Sequence, residues 1–260
     1  MSPTAQPPVA NAPLAIVTGG KRRLGAQIAA RLAGAGYALA LVSHVDKAPE
    51  ADLLAVLNDH QSDWQAFVHD LSDPRHAASL IEAVSTRFGR EPDLLVNNAA
   101  MFGQDDWASM DAASLGTHFG LNLFTPLLLA QALVKAAGDN ARPAIVNILD
   151  QRIVNPHGDQ LSYTLSKQAL AASVRSLAVA FGGRARINGV APGLVISTDD
   201  YSAEQEQRLA GMMPLGALPS PTGVADAVLY LAGAKDVTGQ IIFVDGGAHL
   251  KSFERDFMYL

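Results

Sequence analysis

Seven short apolar runs recur along the chain, at 14–18, 38–43, 64–68, 94–96, 144–149, 186–190 and 240–244. Most are continuous rather than alternating, the pattern of strands covered on both faces. Between them lie segments with helical periodicity, at 24–34, 50–60, 74–88, 112–137, 160–181 and 221–232. Strands alternating with helices predict a parallel sheet, and right-handed crossovers then give a doubly wound α/β sheet of seven strands. No repeat, linker or low-complexity break divides the pattern, so a single domain is expected over 13–260. It follows a flexible, Pro- and Ala-rich tail at 1–12. The stretch 192–220 is the least regular, with three prolines and the pair Asp199-Asp200, and about 194–220 is expected to form a substrate lid.

Composition narrows the function classes. Of 260 residues, 49% are apolar, enough for a full core, and the formal net charge of −6 with no basic run argues against a nucleic-acid surface. Cysteine is absent, which removes disulfides, thiolate metal sites and cysteine nucleophiles. The seven histidines are scattered without metal-ligand spacing. No run of 18 apolar residues and no charged-then-apolar leader is present, so a cytoplasmic protein without a membrane segment is expected.

The first strand runs into Thr18-Gly19-Gly20-Lys21-Arg22-Arg23-Leu24-Gly25. A strand, a glycine-rich turn and a helix start are what a dinucleotide phosphate site requires, with Gly19 and Gly25 permitting tight turning and close backbone approach. A purely structural turn has the same glycines. An acid at the end of the second strand would hold the free ribose hydroxyl of NAD, but Ser43-His44 stands there. Arg22, Arg23, His44 and Lys47 are instead available for a 2′-phosphate, with Asp46 opposing it, so NADP(H) is the expected cofactor. Asp70, before Leu71 at the third strand's end, suits either an adenine amino group or a helix cap. After the fourth strand, Asn98-Ala99-Ala100 lets a cofactor approach closely.

Tyr163 and Lys167 are four residues apart, hence on one helical face. A cation beside a phenol stabilises phenolate and is expected to lower the tyrosine pKa, making a proton donor for a carbonyl or imine that receives a hydride. By itself the pair is also what a solvated helix surface looks like.

Thr18-Gly19…Gly25, Asn97-Asn98-Ala99, Asn122, Tyr163-x3-Lys167, Pro192-Gly193 and Asp245-Gly246-Gly247 occur in the order and spacing of the short-chain dehydrogenase/reductase family. Residues 14 to about 250 carry the resemblance. It implies a Rossmann sheet, a nicotinamide cofactor and a homotetramer. Two departures resemble the pteridine reductases and bacterial dihydromonapterin reductases of that family. Arg23 replaces the usual middle glycine, and Asp150 replaces the usual serine thirteen residues before the tyrosine. Phe102 and Gly193-Leu194 followed by Asp199-Asp200 match further; in that group the corresponding aromatic stacks on the pterin. Ala100 and Val45 depart from it, where a serine and a second basic residue are usual.

The resemblance implies Tyr163, Lys167, Asp150 and Asn122 as catalytic residues, with Asn122 holding a water in a relay to Lys167. Substrate would touch Phe102, Arg23, Asp150, Tyr163 and Leu194, and cofactor would further touch Pro192 and Gly193. Ionised Asp150 cannot donate a hydrogen bond to a carbonyl oxygen, whereas the amide–amidine edge of a pterin presents N–H donors. Reduction of a pteridine-like C=N bond by NADPH is therefore the expected function. Reduction of another small carbonyl or imine, and a silent nucleotide-binding scaffold, are the alternatives. The apolar tail Phe253 to Leu260 is expected to pack on a neighbouring subunit.

Overall fold

Strand β1 (Leu14–Thr18) is buried along its whole length, as a strand covered on both faces must be. The computed structural model describes residues 12–196 and 201–260. It pairs β1 with β2 (Ala38–Ser43) on one side and β4 (Leu94–Asn97) on the other, both parallel. With β3 (Trp64–Val68), β5 (Ala144–Ile148), β6 (Arg186–Pro192) and β7 (Ile241–Val244), the order is β3-β2-β1-β4-β5-β6-β7. This is the seven-stranded, doubly wound Rossmann-type sheet of a single domain. Strand order reverses between β1 and β4, the switch point at whose carboxyl ends ligands bind in open α/β sheets.

Alternate side chains of each strand feed two cores. Ala15, Val17, Leu39 and Leu41 pack with Ile28 and Leu32 of α1 (Arg23–Gly34), Leu53 and Leu57 of α2 (Ala51–Asp59), and Val228 and Leu231 of α8 (Pro221–Gly233). Leu14, Ile16, Ala40 and Leu95 pack on the other face. Their partners are Leu80, Ile81 and Val84 of α3 (Ala77–Phe88) and Leu129 and Leu133 of α5 (Thr125–Ala136). Each such leucine or isoleucine, closed from solvent, contributes roughly 1.5–3 kcal/mol.

Three segments depart from the periodic pattern. The helix expected over 112–137 is interrupted: α4 (Ala112–Phe119) leads into a π turn, Gly120–Phe124, before α5. Pro126 has no N–H, so the α-type bond to the Asn122 carbonyl cannot form and the chain takes a wider turn. The run Ala112–Ala136 is long and apolar enough to span a bilayer by composition, but half of that window is buried and α5 lies in the core. The second departure is α7 (Ala203–Met212), a helix inside the irregular stretch. Ser202 Oγ accepts from the Gln205 amide at 3.2 Å and caps it, and Leu209 is its one buried side chain. Asp199 and Asp200 of the expected lid lie outside the described residues, as does the tail up to residue 11.

The third departure is the closing segment. Phe257 is buried with Leu209, Met213 and Ala248 of its own chain, and Phe253 and Leu260 pack on the same cluster. Gln205 Nε2 donates to the carbonyls of Phe257, Met258 and Leu260 at 3.1, 3.2 and 3.3 Å. The segment packs on its own chain, against α7.

Candidate active site

The turn after β1 is shaped by what cannot fit in it. Gly19 has φ +63°, and a Cβ on Gly25 would lie 2.0 Å from the Gly19 carbonyl. Only glycine at both positions lets β1 pass so closely into α1. Asn98 secures the turn from β4: its Nδ2 donates to Thr18 O at 2.8 Å, while Thr18 Oγ1 accepts from the amides of Asn98 and Ala99, each at 2.9 Å. The N-cap residue of α1, Arg22, makes no side-chain cap bond and no acid occupies the first turn, so beyond the Arg23 amide, which Glu50 holds, the positive end of the helix suits an anion. Arg23 has φ +52°, where a non-glycine residue costs roughly 1 kcal/mol or more. The usual glycine at this position therefore has a backbone reason. Arg23 N donates to Glu50 Oε1 at 2.9 Å, so a carboxylate already sits against this turn.

Lys21 is buried, with Nζ donating to Val45 O at 3.1 Å and Lys47 O at 2.7 Å. It ties the loop after β2 to the glycine turn. Ser43 Oγ donates to Val45 O at 2.8 Å. Arg22, Arg23, His44 and Lys47 are exposed beside this loop, as is Asp46. Asp70 accepts from Ser72 N at 2.9 Å and Ser72 Oγ at 2.7 Å, and these bonds lower its pKa. The helix cap weighed for Asp70 falls to Asp73, which accepts from Arg75 N. Leu71 is buried in the core with its carbonyl taken by Thr125 Oγ1 at 2.8 Å, so little of it faces the crevice. Pro192 ends β6, and Gly193 fits only because a Cβ there would crowd Asp245 at 3.0 Å. Leu194 packs on the cluster of α7 and the closing segment.

Tyr163 and Lys167 project from α6 (Leu161–Phe181) into the molecule, 7% and 2% exposed, which removes the reading of a solvated helix surface. The helix start is fixed from outside: Gln160 turns it with φ +48°, and Asp105 accepts from the Ser162 amide at 3.1 Å. Tyr163 Oη donates to Asp150 Oδ2 at 2.9 Å. Lys167 Nζ donates to Ile148 O at 2.7 Å and lies 5.9 Å from the centre of the Tyr163 ring. Phe102 is half-exposed and meets the Tyr163 ring edge-on at 4.9 Å, so it is not a core aromatic. Trp107 is 83% exposed. Asn122 is fully buried in the π turn. Its amide accepts from Met101 N at 2.8 Å and donates to Met101 O and Ser166 Oγ at 3.0 Å each. It holds the loop that carries Phe102 onto α6.

Burial, and then the Asp150 carboxylate, push the Tyr163 phenol well above its ordinary pKa. This corrects the expectation that Lys167 lowers it: the nearest charge along the hydroxyl is negative, and the ring is out of water. The tyrosine thus keeps its proton, as an acid must. Burial brings Lys167 down to about 8, against the opposing pull of Asp150.

Sequence reasoning missed Arg152 and Asp256. Arg152 is buried, donates Nε to Asp150 Oδ1 at 3.2 Å and Nη2 to Asp256 Oδ2 at 2.7 Å, and stands 5.3 Å from the Tyr163 ring centre. Burial opposes its charge, but Asp150, Tyr163 and Asp256 outweigh that and raise its pKa. Removing one partner from such a buried pair typically costs about 3–5 kcal/mol. A run of Asp-x-Arg gave no local signal, because the second carboxylate lies 104 residues further on.

Residues 19–249 match the family model described as enoyl-(acyl carrier protein) reductase. The fold superposes on a FolM alternative dihydrofolate reductase 1 from Brucella canis, solved with NADP, with TM-score 0.82. The two are 33% identical, over 96% of this chain and 98% of that one. Pteridine reductase 1 of Leishmania tarentolae is 31% identical over 92% of this chain and 97% of its own length. The 7alpha-hydroxysteroid dehydrogenase of Escherichia coli is also 31% identical, over 90% and 92%.

Proposed function

The chain belongs to the short-chain dehydrogenase/reductase family of oxidoreductases, and on that premise we propose that it uses NADPH to reduce a pteridine-like C=N bond. The cradle suits a dinucleotide. The glycine turn leaves no room for a Cβ, the N-cap residue of the first helix makes no side-chain cap bond, and exposed Arg22, Arg23 and Lys47 beside His44, with no acid at Ser43 or His44, favour a 2′-phosphate. Gly19, Arg22, Arg23, Leu24 and Gly25 would take the phosphates, with Asn98, Ala99, Ala100 and Gly193 bordering the rest.

One observation carries the substrate class: the hydroxyl of Tyr163 is bonded to a carboxylate, Asp150, at 2.9 Å. A carboxylate paired with arginine accepts hydrogen bonds and repels a developing oxyanion, so it disfavours a ketone. It matches the N–H donors along one edge of a pterin. Phe102, half-exposed at the tyrosine, offers a ring face to a flat heterocycle. The NADP complex of the Brucella canis protein and the pteridine reductase of Leishmania tarentolae support the same reading.

NADPH held by the glycine turn and its flanking residues would supply the hydride for the ring carbon of the C=N bond. Tyr163 delivers its proton to the ring nitrogen as the C=N π bond breaks, and takes up a proton from solvent afterwards. Asp150 first orients that hydroxyl and then accepts from the substrate's N–H groups. Lys167 stands under the ring and stabilises the phenolate left behind.

Phe102→Ala is expected to lower kcat/KM for a dihydropterin by about tenfold or more, an aromatic stack being worth roughly 1 kcal/mol beyond its area. NADPH affinity, measured by fluorescence titration, should stay at the parent value. Undiminished pterin turnover would remove Phe102 from the site. The second reading, a reductase of another carbonyl or imine, is favoured by the hydroxysteroid dehydrogenase at equal identity. It is expected to leave Phe102→Ala without a substrate-selective effect.

A further inference from the structure

The proton transfer described above makes no use of Arg152 or Asp256, although both are buried beside it. Each guanidinium nitrogen of Arg152 donates one hydrogen bond. Its backbone N and Nε hold Asp150 Oδ1 at 2.9 and 3.2 Å, Nη1 holds Gln160 Oε1 at 3.1 Å, and Nη2 holds Asp256 Oδ2 at 2.7 Å. Asp256 comes from the closing segment, and it is itself held. Its amide donates to Asp159 Oδ2 at 2.9 Å, and its Oδ1 accepts from Met258 N at 3.0 Å. The following residues are clasped by Gln205 and Arg208 of α7.

A guanidinium is planar and rigid, so fixing one edge fixes the direction of the others. We propose that Asp256 is a positioning residue for this reaction: through the Arg152 fork it holds the Asp150 carboxylate on the Tyr163 hydroxyl. The inference rests on the reading of Tyr163 as the proton donor. It makes the closing segment part of the active site, joined on its other side to the helix of the lid region.

The charged groups around this chain are few. Tyr163 faces Asp150, Arg152 and Lys167. Asp256 faces Arg152 and, at 3.7 Å, His157, which burial and Arg152 bias toward the neutral form. Asp159 faces His157 at 3.8 Å and Arg255 at 3.6 Å. With His157 disfavoured as a cation, Arg152 is the one buried cation that couples Asp256 to Asp150 among the described residues. The Asp256 charge also adds to those that keep the proton on Tyr163.

The test is Asp256→Asn in the full chain, which keeps shape and removes charge. NADPH affinity is expected to stay unchanged, kcat to fall about tenfold, and the Tyr163 phenol to titrate at lower pH. A purely structural Asp256 would lower the unfolding temperature and leave that titration in place, and that result overturns the proposal. Arg152→Lys keeps the charge but cannot hold both carboxylates. The same loss of kcat is expected, and a parental value overturns the proposal even if Asp256→Asn does not fold. Tyrosinate absorbance, with the Tyr163→Phe spectrum subtracted, reads the shift without any substrate: an unmoved titration contradicts the proposal. Parental turnover in Tyr163→Phe would mean that the reading of the site has failed. Loss in Tyr163→Phe with a parental Asp256→Asn would mean that only this inference has.

Discussion

Tyr163→Phe should bind NADPH like the parent and lose roughly 10²- to 10⁴-fold in kcat, the range of a general acid. The substitution removes one oxygen. The phenyl ring still fills the space between Phe102 and Arg152, so the fold should hold. What disappears is the proton held by burial and by Asp150. The change should leave substrate KM nearly constant, because the hydroxyl acts mainly as charge develops on the substrate. Stopped-flow NADPH oxidation checks the chemical step, and fluorescence titration checks the cofactor. A variant with parental kcat would show that another group delivers the proton. A variant that has lost NADPH binding would show that the ring shapes the cofactor site instead.

Asp150→Ser should change which substrates react. Serine keeps an oxygen near Tyr163 Oη but turns an acceptor into a donor suited to a carbonyl oxygen. Pterin turnover is expected to fall about a hundredfold, as for a lost charge-assisted contact, while activity on small ketones rises. The pH profile should move as well. Asp150 opposes the depression of the Lys167 pKa, which burial has already brought to about 8. Without the carboxylate, Lys167 loses its proton at lower pH, and the phenolate loses its stabilising cation there. The alkaline limb of kcat therefore shifts to lower pH. Parallel kcat/KM measurements on a dihydropterin and a diketone decide it, since an unchanged ratio would end the carboxylate argument.

The strands were legible because burial on both faces demands continuous apolar runs, and the doubly wound arrangement followed from the handedness of crossovers. The glycine turn was legible because sterics leave one residue type at Gly19 and Gly25. Helix α7 was not, because a surface helix with one buried side chain, Leu209, leaves almost no periodic trace. Its cap, Ser202 before Gln205, was the available signal. The π turn hinged on Pro126 acting one turn earlier, on Asn122. Tyr163 and Lys167 were found from spacing, but the direction of the tyrosine shift was misjudged. Spacing shows a neighbouring cation and says nothing of how deeply both groups are buried. Arg152 and Asp256 meet only through the tertiary fold, so neither had a local signature. Arg23 stands where glycine is usual, and its φ of +52° gives the backbone reason for glycine there.

The most direct test is NADPH oxidation, followed by absorbance, with dihydrobiopterin, dihydromonapterin and dihydrofolate beside a panel of quinones and diketones. Turnover of a pterin that disappears in Tyr163→Phe is the expected result. Turnover of the carbonyls alone, or tight NADPH binding with no turnover of either class, would contradict pteridine reduction; the first outcome leaves a carbonyl reductase and the second a nucleotide-binding scaffold.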